Sequence, residues 1–451
     1  MKQERPVDLT GRLNNLMLSM SGYQNQMLDC LAALCRVPSV SGLPQPDAPF
    51  GQETADVLKV FLEMGRQFGF RAVNLGNRAG YVEFGSGDKM IAVLGHLDVV
   101  PVGPGWVSDP FEPLILPDRL VARGAIDDKG PVVAALFAIK ALADEGFAGS
   151  CRIRLIVGLD EEQGGECMAH YVQVEELPAA GFTPDASFPV IYAEKGIAWA
   201  ELRLDGTQPA DAVLRLDRAQ AGLRPNMVPG SCTISLAGPS GEAESIQVQG
   251  QSAHASTPWE GSNAISLAMA QVSDKLRAKG CSHPFVDFYQ AAIGSSWLGE
   301  GLGISFEDES GKLTVNAGLL DLDSRSGLLT LDIRYPITQS LEDLEAALVK
   351  SAAAFGASAR IVKNLAPLHV PKDSSLVVTL MDTYRELTGL DARPEAIGGG
   401  TYARSMPNIV AFGPNFPDDV ETAHQAGEYI SFKTLLASAA IYRQALRRLA
   451  K

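Results

Sequence analysis

Hydrophobic residues in the first part of the chain recur in two distinct patterns, one typical of helices and one of buried strands. Apolar positions spaced three to four residues apart predict helices with one buried face, and short uninterrupted apolar runs predict strands. The helical segments are 24–35, 53–68 and 129–145, and the strand segments are 81–84, 90–94 and 151–157. This alternation predicts a layered α/β domain that extends to about residue 196.

The pattern changes after Gly196, where apolar and polar residues alternate as in half-buried strands. The segments are AWAELRL, SCTISLA, ESIQVQG and LLTLDIRYPI, with helices at 263–279 and in LEDLEAALVKSAAAFG. The segments 374–388 and 432–449 then return to the style of the first part. We predict the α/β class with a mixed sheet, in a domain of residues 1–196 and 367–451 that is interrupted by an inserted α+β lid domain at 197–366.

Composition and charge exclude several classes of protein. The 451 residues, 46% hydrophobic and 20% charged, are typical of a globular chain and not of a disordered one. With 38 Lys+Arg and 53 Asp+Glu, the net charge of −15 should repel nucleic acid and anionic membranes, so we expect neither as a partner. The N-terminal sequence lacks a signal-peptide core, which favours a cytoplasmic protein. The six cysteines form no CxxC pair, which favours free thiols.

The motif GHLDVVPVGPGW follows an apolar strand and places His96 and Asp98 at its C-terminal end, where open α/β sheets bind their ligands. Strand alternation directs both side chains to one side. A lone His at such a point is most often structural. A carboxylate two residues on, however, can accept the second imidazole N–H of a metal-binding His and so determine its tautomer. The spacing therefore indicates a candidate metal ligand.

The motif ARGAIDDKGP begins the predicted helix at 129 with two adjacent acids, Asp127 and Asp128. Asp is favoured as an N-cap because its carboxylate accepts an otherwise unpaired backbone N–H. One of the two carboxylates therefore has a structural explanation, and the other remains a candidate ligand.

Three further motifs carry acids or a histidine near predicted strand ends. Asp160, Glu161 and Glu162 follow a strand in IVGLDEEQGG, Asp185 lies in a Pro-bounded loop in FTPDASFPV, and His424 precedes the last helix in ETAHQAGEYI. Each has an ordinary explanation by itself, as a solvated acidic loop, a turn residue or a loop histidine.

Taken together, two histidines and carboxylates from several strand ends are the nitrogen and oxygen ligands of a two-metal hydrolytic site. The chain has no G-x-S-x-G, H-E-x-x-H or G-x-x-x-x-G-K-[ST] motif, and G-x-G-x-x-A occurs only late, at 398–403. A dinucleotide site is therefore weakly supported.

These motifs, in this order and spacing, resemble the M20 family of di-zinc metallopeptidases, and within it the PepV-like dipeptidase branch, over nearly the whole chain. The resemblance implies a two-metal hydrolase domain in which His96 binds one metal and Asp127 bridges both. It implies that Glu162 and His424 complete the ligands of one metal and Asp185 those of the other. The expected cofactors are two divalent ions, Zn²⁺ first, with Mn²⁺ and Co²⁺ as alternatives.

The same resemblance implies roles in catalysis and substrate binding. Glu161 matches the general base and Asp98 the carboxylate that orients His96. In the insertion, His254 of GQSAHASTPWEGSNA matches a residue that stabilises the oxyanion. The expected substrate-binding residues are Asn226 of RPNMVP, Arg334 of LDIRYPI, and Gly399, Gly400 and Thr401 of GGGTYARSMPN.

The expected function is hydrolysis of dipeptides with a free amino terminus, the partner being a small peptide substrate. An N-acyl amino acid deacylase could use the same metals and base, and a peptide-binding relative without catalysis is the alternative outside enzymes. The insertion resembles the double-sized PepV lid, which implies a monomer whose lid mimics a dimer, with a homodimer as the alternative. Gly427 departs from the family pattern, where Asn is usual.

Overall fold

The computed structural model describes residues 9–209, 211–238 and 243–451. Their chain forms two compact units. The first contains residues 9–192, Val370–Glu395 and Gly400–Lys451, and the second contains Ala193–His369 with Ala396–Gly399. The first eight residues, part of the stretch searched above for a signal peptide, lie outside the described residues.

Ten α-helices lie in the described ranges, seven of them in the first unit and three, α6 to α8, in the second. They are α1 (Leu9–Met20), α2 (Gln24–Cys35), α3 (Gln52–Gln67), α4 (Lys129–Asp144), α5 (Glu166–Val174), α6 (Ala264–Ala278), α7 (Pro284–Ala292), α8 (Leu341–Ala354), α9 (Ser375–Thr388) and α10 (Phe432–Leu449).

The strands of the first unit are β1 (Arg71–Leu75), β2 (Ala79–Phe84), β3 (Lys89–His96), β4 (Leu114–Ile115), β5 (Arg119–Val121), β6 (Cys151–Gly158), β7 (Ala180–Thr183), β8 (Ala186–Ser187), β21 (Ile409–Phe412), β22 (Pro414–Asn415) and β23 (Tyr429–Ser431). Strands β9 (Val190–Glu194) and β20 (Glu395–Ile397) lie where the chain passes between units. The second unit contains β10 (Gly196–Asp205), β11 (Arg215–Ala221), β12 (Ser231–Ala237), β13 (Ala243–Gln249), β14 (Glu307–Asp308), β15 (Gly311–Lys312), β16 (Thr314–Asp323), β17 (Ser326–Tyr335), β18 (Ser358–Leu365) and β19 (Leu368–His369).

The main sheet of the first unit has the strand order β1-β2-β6-β3-β7-β21-β9. The four strands β6, β3, β7 and β21 run parallel, and the strands on either side of them pair antiparallel. The prediction of an α/β fold with a mixed sheet is therefore confirmed. Parallel strands end at the same edge, so the loops after β3, β6 and β7 open at one side of the sheet.

Helix α4 is the central helix of the first unit. It packs on β3 and β6 and against α2 and α10. Most of its side chains are buried, which explains its Ala-rich, almost wholly apolar sequence. Even Lys129, in its first turn, is buried, and its ammonium group donates to the carbonyl oxygens of Leu34 and Val37 at 3.1 and 3.0 Å. The beginning of α4 is thereby held against the end of α2.

The second unit is built on one sheet with the order β13-β12-β11-β16-β17-β10-β18, whose neighbouring strands are antiparallel. Helices α6, α7 and α8 contribute to its apolar core. The side chain of Asn263 caps α6 by accepting the N–H groups of Ile265 and Ser266, and it also donates to Asn316. This organisation is the α+β type expected for the insertion.

The strongly periodic segments were predicted closely, and the less regular ones were not. Helix α2 has the predicted bounds, and α6 differs from its prediction by one residue at each end. Helix α7 and strands β11 and β16 were not predicted at all. Arg334 lies on β17, in the interior of the sheet.

The prediction of free thiols is confirmed, since all six cysteines are unpaired and four are buried. No helix in the described ranges is both long enough and apolar enough to cross a membrane.

Candidate metal centre

Four of the candidate donors lie at the ends of adjacent parallel strands. His96 is the last residue of β3, Glu161 and Glu162 follow β6, and Asp185 follows β7. The register of β3 and β6 aligns His96 with Gly158, so the acidic loop begins beside the imidazole. The sheet topology thus brings together side chains that are distant in sequence.

Asp127 lies between two imidazole rings. Its Oδ1 is 2.9 Å from Nε2 of His96, and its Oδ2 is 2.8 Å from Nε2 of His424. The Nε2 atom of His424 also lies 3.0 Å from Oε1 of Glu162, and that of His96 lies 3.9 Å from Oδ2 of Asp185. One oxygen of Asp127 therefore contacts His96, which lies near Asp185. The other oxygen contacts His424, which lies near Glu162.

Two overlapping sets of side chains have donor atoms close enough together to hold a metal ion. One set is His96, Asp127 and Glu162, and the other is His96, Glu161 and Asp185. The predicted ligand His424 is in neither set, although it contacts Asp127 and Glu162. Imidazole nitrogen and carboxylate oxygen suit Zn²⁺, Mn²⁺ and Co²⁺. Glu161, which the resemblance assigned as a base rather than a ligand, is thus close to the other donors.

The pKa shifts of the side chains in the centre indicate that positive charge is stabilised there. Hydrogen bonds to Asp127 and Glu162 raise the pKa of His424 to about 11. Burial lowers the pKa of His96, but hydrogen bonds to Asp127 and Asp98 outweigh it and hold that pKa well above its ordinary value. Burial, joined by repulsion from Glu162, raises the pKa of Glu161 to about 8. Cations at these positions would relieve the repulsion among the carboxylates.

Asp98 connects His96 to the acidic loop. Its oxygens Oδ1 and Oδ2 each accept a backbone N–H at 3.1 Å, from Glu161 and Glu162 respectively. Nδ1 of His96 lies 3.0 Å from the backbone oxygen of Asp98 and 3.5 Å from its Oδ1. The backbone oxygen is therefore the nearer partner of the imidazole, and the carboxylate chiefly holds the two glutamates.

Asp128 does not have the capping role considered from the sequence. It occupies the N-cap position of α4, but its side chain accepts no helix N–H. Its Oδ2 accepts the backbone N–H of His96 at 3.1 Å instead. A Cβ atom at Gly95 would lie 2.5 Å from that oxygen, so only glycine fits before His96. The N-cap interpretation is therefore wrong for Asp128, which positions the backbone of His96.

Glu428 is a buried residue of the centre that the sequence analysis did not assign. Its Oε1 accepts the N–H groups of Ile126 and Asp127 at 3.1 and 3.2 Å, and its Oε2 lies 2.5 Å from Nη1 of Arg123. Arg123 in turn donates to the backbone oxygen of His424 at 3.4 Å. This ion pair thus holds the backbone at Asp127 and at His424. Its only sequence signal was its position in the motif ETAHQAGEYI, four residues after His424.

The loop around His424 has an unusual backbone. His424 has a φ of 64°, in the left-handed region that few non-glycine residues adopt. Gly427 has a φ of 78°, a conformation open to glycine and, among other residues, mainly to Asn. Glycine at this position therefore has a backbone conformation that Asn also tolerates.

The remaining candidates from the insertion lie in the second unit. Nδ1 of His254 is 2.6 Å from Oγ of Ser256, and the backbone oxygen of Asn226 accepts the N–H of Ala255 at 3.0 Å. The segments that carry His254 and Asn226 are therefore neighbours.

Arg334 is buried in the second unit and already has an acidic partner. Its Nε and Nη2 donate to Asp332 at 2.5 and 3.0 Å, and its Nη1 donates to the backbone oxygen of Gly398 at 2.9 Å. Gly399 belongs to the second unit, whereas Gly400 and Thr401 belong to the first. There, Thr401 accepts the N–H of Ala403 at the start of a short 3₁₀ turn.

Comparison with known proteins gives consistent matches. Residues 92–448 match the model of "Peptidase family M20/M25/M40". The chain is 40% identical over 433 residues to the "Putative dipeptidase YtjP" of Bacillus subtilis, covering 90% of this chain and 93% of that one. The aminoacylhistidine dipeptidase of Vibrio alginolyticus shares the fold with a TM-score of 0.63 at 14% identity, covering 94% and 96%. The Bacillus subtilis YXEP protein, titled a dinuclear metal binding peptidase, gives a TM-score of 0.51 at 13% identity, covering 95% and 99%.

Metal binding should release protons from this centre. Because its pKa is raised to about 11, His424 should be protonated at pH 7 in the metal-free protein. A metal ion at that nitrogen must displace the proton, so affinity should rise with pH around neutrality. Calorimetric titration of Zn²⁺ into metal-free protein, in two buffers of different ionisation enthalpy, measures the protons released.

The variant His424→Gln should release about one proton fewer than the wild type. His170→Gln, on α5, is the matched control: within the described residues its side chain forms no ion pair with Asp127 or Glu162, and it should release the wild-type number. Equal proton release by His424→Gln and the wild type would show that His424 is not displaced by the metal.

Proposed function

The chain belongs to peptidase family M20/M25/M40 and is a metallopeptidase, and from this premise we propose that it is a dipeptidase. Its substrates would be dipeptides with a free amino terminus, cleaved with two divalent metal ions. The observation that carries the proposal is the position of Asp127, with one carboxylate oxygen toward His96 and the other toward His424. A carboxylate placed in this way can bridge two metal ions.

The remaining donors divide naturally between the two positions. Asp185 lies on the His96 side of Asp127, and Glu162 lies on the His424 side. We assign His96 and Asp185 to one ion, Glu162 and His424 to the other, and Asp127 to both. Bound there, the ions would supply the Lewis acidity that polarises the scissile carbonyl and acidifies a water molecule. Zn²⁺ suits these donors, with Mn²⁺ and Co²⁺ as alternatives.

Glu161 would carry the proton during hydrolysis. Its carboxylate takes a proton from the attacking water as the new C–O bond forms, and it delivers that proton to the leaving nitrogen as the C–N bond breaks. Its backbone N–H is held by Asp98, which also holds Glu162. The proposed base, Glu161, and the adjacent proposed ligand, Glu162, are thereby held in fixed relative positions.

Three side chains of the second unit are proposed to bind the substrate. We assign His254 to the oxyanion, and Asn226 and Arg334 to the substrate backbone or its C-terminal carboxylate. Two of the five guanidinium N–H groups of Arg334 are directed to Asp332 and one to Gly398, which leaves one on each terminal nitrogen for a ligand. Backbone groups of Gly399, Gly400 and Thr401 would complete the substrate site.

The proposed function predicts a specific response to chelation. Excess EDTA should abolish hydrolysis of alanyl-leucine, and Zn²⁺, Mn²⁺ or Co²⁺ should restore it, whereas Mg²⁺ alone should not, because imidazole ligands favour transition ions. Activity that persists in EDTA would contradict a metal mechanism. A faster release of leucine from N-acetyl-leucine than from alanyl-leucine would instead identify an N-acyl amino acid deacylase.

Substitutions should distinguish the proposed base from the proposed metal ligands. Glu161→Gln should keep two metal ions per chain and lower kcat by about 10²–10⁴-fold, the usual cost of losing a general base. Asp127→Ala should lose metal, as measured by elemental analysis of the purified protein. Glu166→Gln, an exposed change in the first turn of α5, is the control and should behave as wild type. Activity of Glu161→Gln within threefold of wild type would reject its assignment.

The proposed monomer requires His254 to act within its own chain. His254→Ala should lower kcat by about 10²–10³-fold, as expected for loss of an oxyanion donor. When His254→Ala and Glu161→Ala chains are mixed under conditions that allow subunit exchange, no activity should return. Recovered activity would show that His254 acts across a dimer interface, and a His254→Ala enzyme of normal activity would show that this residue has no catalytic role.

A further inference from the structure

A small cavity of about 170 Å³ adjoins the metal centre within the first unit. Asp127 and Asp185 form one side of it, and Ser187, Asn415 and Glu421 contribute to the rest. Sites for drug-sized ligands usually have roughly 300–1,000 Å³, so this smaller, half-open cavity suits a small terminal group. It begins at the carboxylates that would hold the metal ions, which places it beside the reacting bond.

The walls of the cavity are structurally well defined. Strands β8 and β22 pair in parallel, with Asn415 opposite Ser187. The loop that follows β22 carries Glu421 and, three residues later, His424. One loop therefore contributes both a proposed metal ligand and a carboxylate in the adjoining cavity.

The carboxylate of Glu421 is held by two neutral donors. Its Oε2 accepts from Nδ2 of Asn415 at 3.1 Å, and its Oε1 accepts the N–H of Ala423 at 2.9 Å. Among the residues that the structure describes, no Lys, Arg or His side chain forms an ion pair with it. Glu421, an exposed residue, is thus oriented by two hydrogen bonds, and no protein cation within the described residues compensates its charge.

The charges around the cavity indicate what kind of group it would bind. The carboxylates of Asp127 and Asp185 belong to the donor sets and would be neutralised by metal ions, whereas Glu421 belongs to neither set. Its negative charge would therefore remain, on an exposed side chain at the edge of a small cavity. A small cation that donates hydrogen bonds satisfies both conditions, and the α-ammonium group of a short peptide is such a cation.

We propose that Glu421 recognises the free α-amino group of the substrate and thereby restricts the enzyme to peptides with an unblocked amino terminus. This inference rests on the proposed dipeptidase function and identifies its selectivity residue. An N-acylated substrate presents a neutral group at the same place. It would remove water from the carboxylate of Glu421 without supplying a charged partner, which is unfavourable.

The test compares two substrates that differ only at the amino group, alanyl-leucine and propionyl-leucine, on the zinc-loaded enzyme. The wild type should prefer alanyl-leucine by about 100-fold or more in kcat/KM, because a site built for an N–H group rejects the analogue that lacks it. Glu421→Gln should lower kcat/KM for alanyl-leucine by about 10–100-fold, chiefly through KM, and leave propionyl-leucine nearly unchanged.

Two measurements separate recognition from support of the metal loop. Glu421→Gln should keep the wild-type metal content, and Asp418→Asn, an exposed acid of the same loop, should keep the wild-type substrate preference. An equal loss on both substrates, or a loss of metal in Glu421→Gln, would overturn the inference while leaving the dipeptidase function intact. If the wild type cleaves neither substrate, the proposed function fails and the inference fails with it.

Discussion

The carboxylate of Asp127 is the feature on which the rest of the first unit depends, because it lies in contact with two imidazoles that come from opposite ends of the chain. His96 ends a central parallel strand, and His424 lies in a loop before the last helix. Bringing both to one carboxylate requires β3, the beginning of α4 and the loop before β23 to meet at one edge of the sheet. Like charges accumulate there, and a divalent cation is the simplest way to stabilise them.

Backbone hydrogen bonds, rather than long side chains, provide most of the positioning. Asp98, Asp128 and Glu428 are all buried, and each accepts backbone N–H groups from residues of the metal centre. Asp128 holds the N–H of His96, and Glu428 holds that of Asp127. Such contacts constrain the main chain itself, so the donors keep their positions without the entropic cost of ordering flexible side chains at each reaction cycle.

In the second unit, the buried charge of Arg334 is neutralised by an aspartate on the same strand. Arg334 and Asp332 are two residues apart on β17, so strand geometry places their side chains on the same face of the sheet. Trp199, on the paired strand β10, donates its indole N–H to the same aspartate at 2.9 Å. The guanidinium is therefore fixed in orientation and partly neutralised.

The sequence by itself determined the periodic elements, such as α2 and α10, because burial of one helix face leaves a regular apolar spacing. The motifs and the family resemblance also predicted His96, Asp127 and His424 as metal ligands, and the three side chains lie in contact. The sequence did not indicate β16, whose Asn and Gly are unfavourable in strands, or the role of Glu428. Glu428 contacts Ile126, 302 positions earlier in the chain, and no local pattern encodes such a pair. Only the tertiary structure determined which acceptor pairs with each buried backbone N–H, because that depends on which segments, distant in sequence, the sheet brings together.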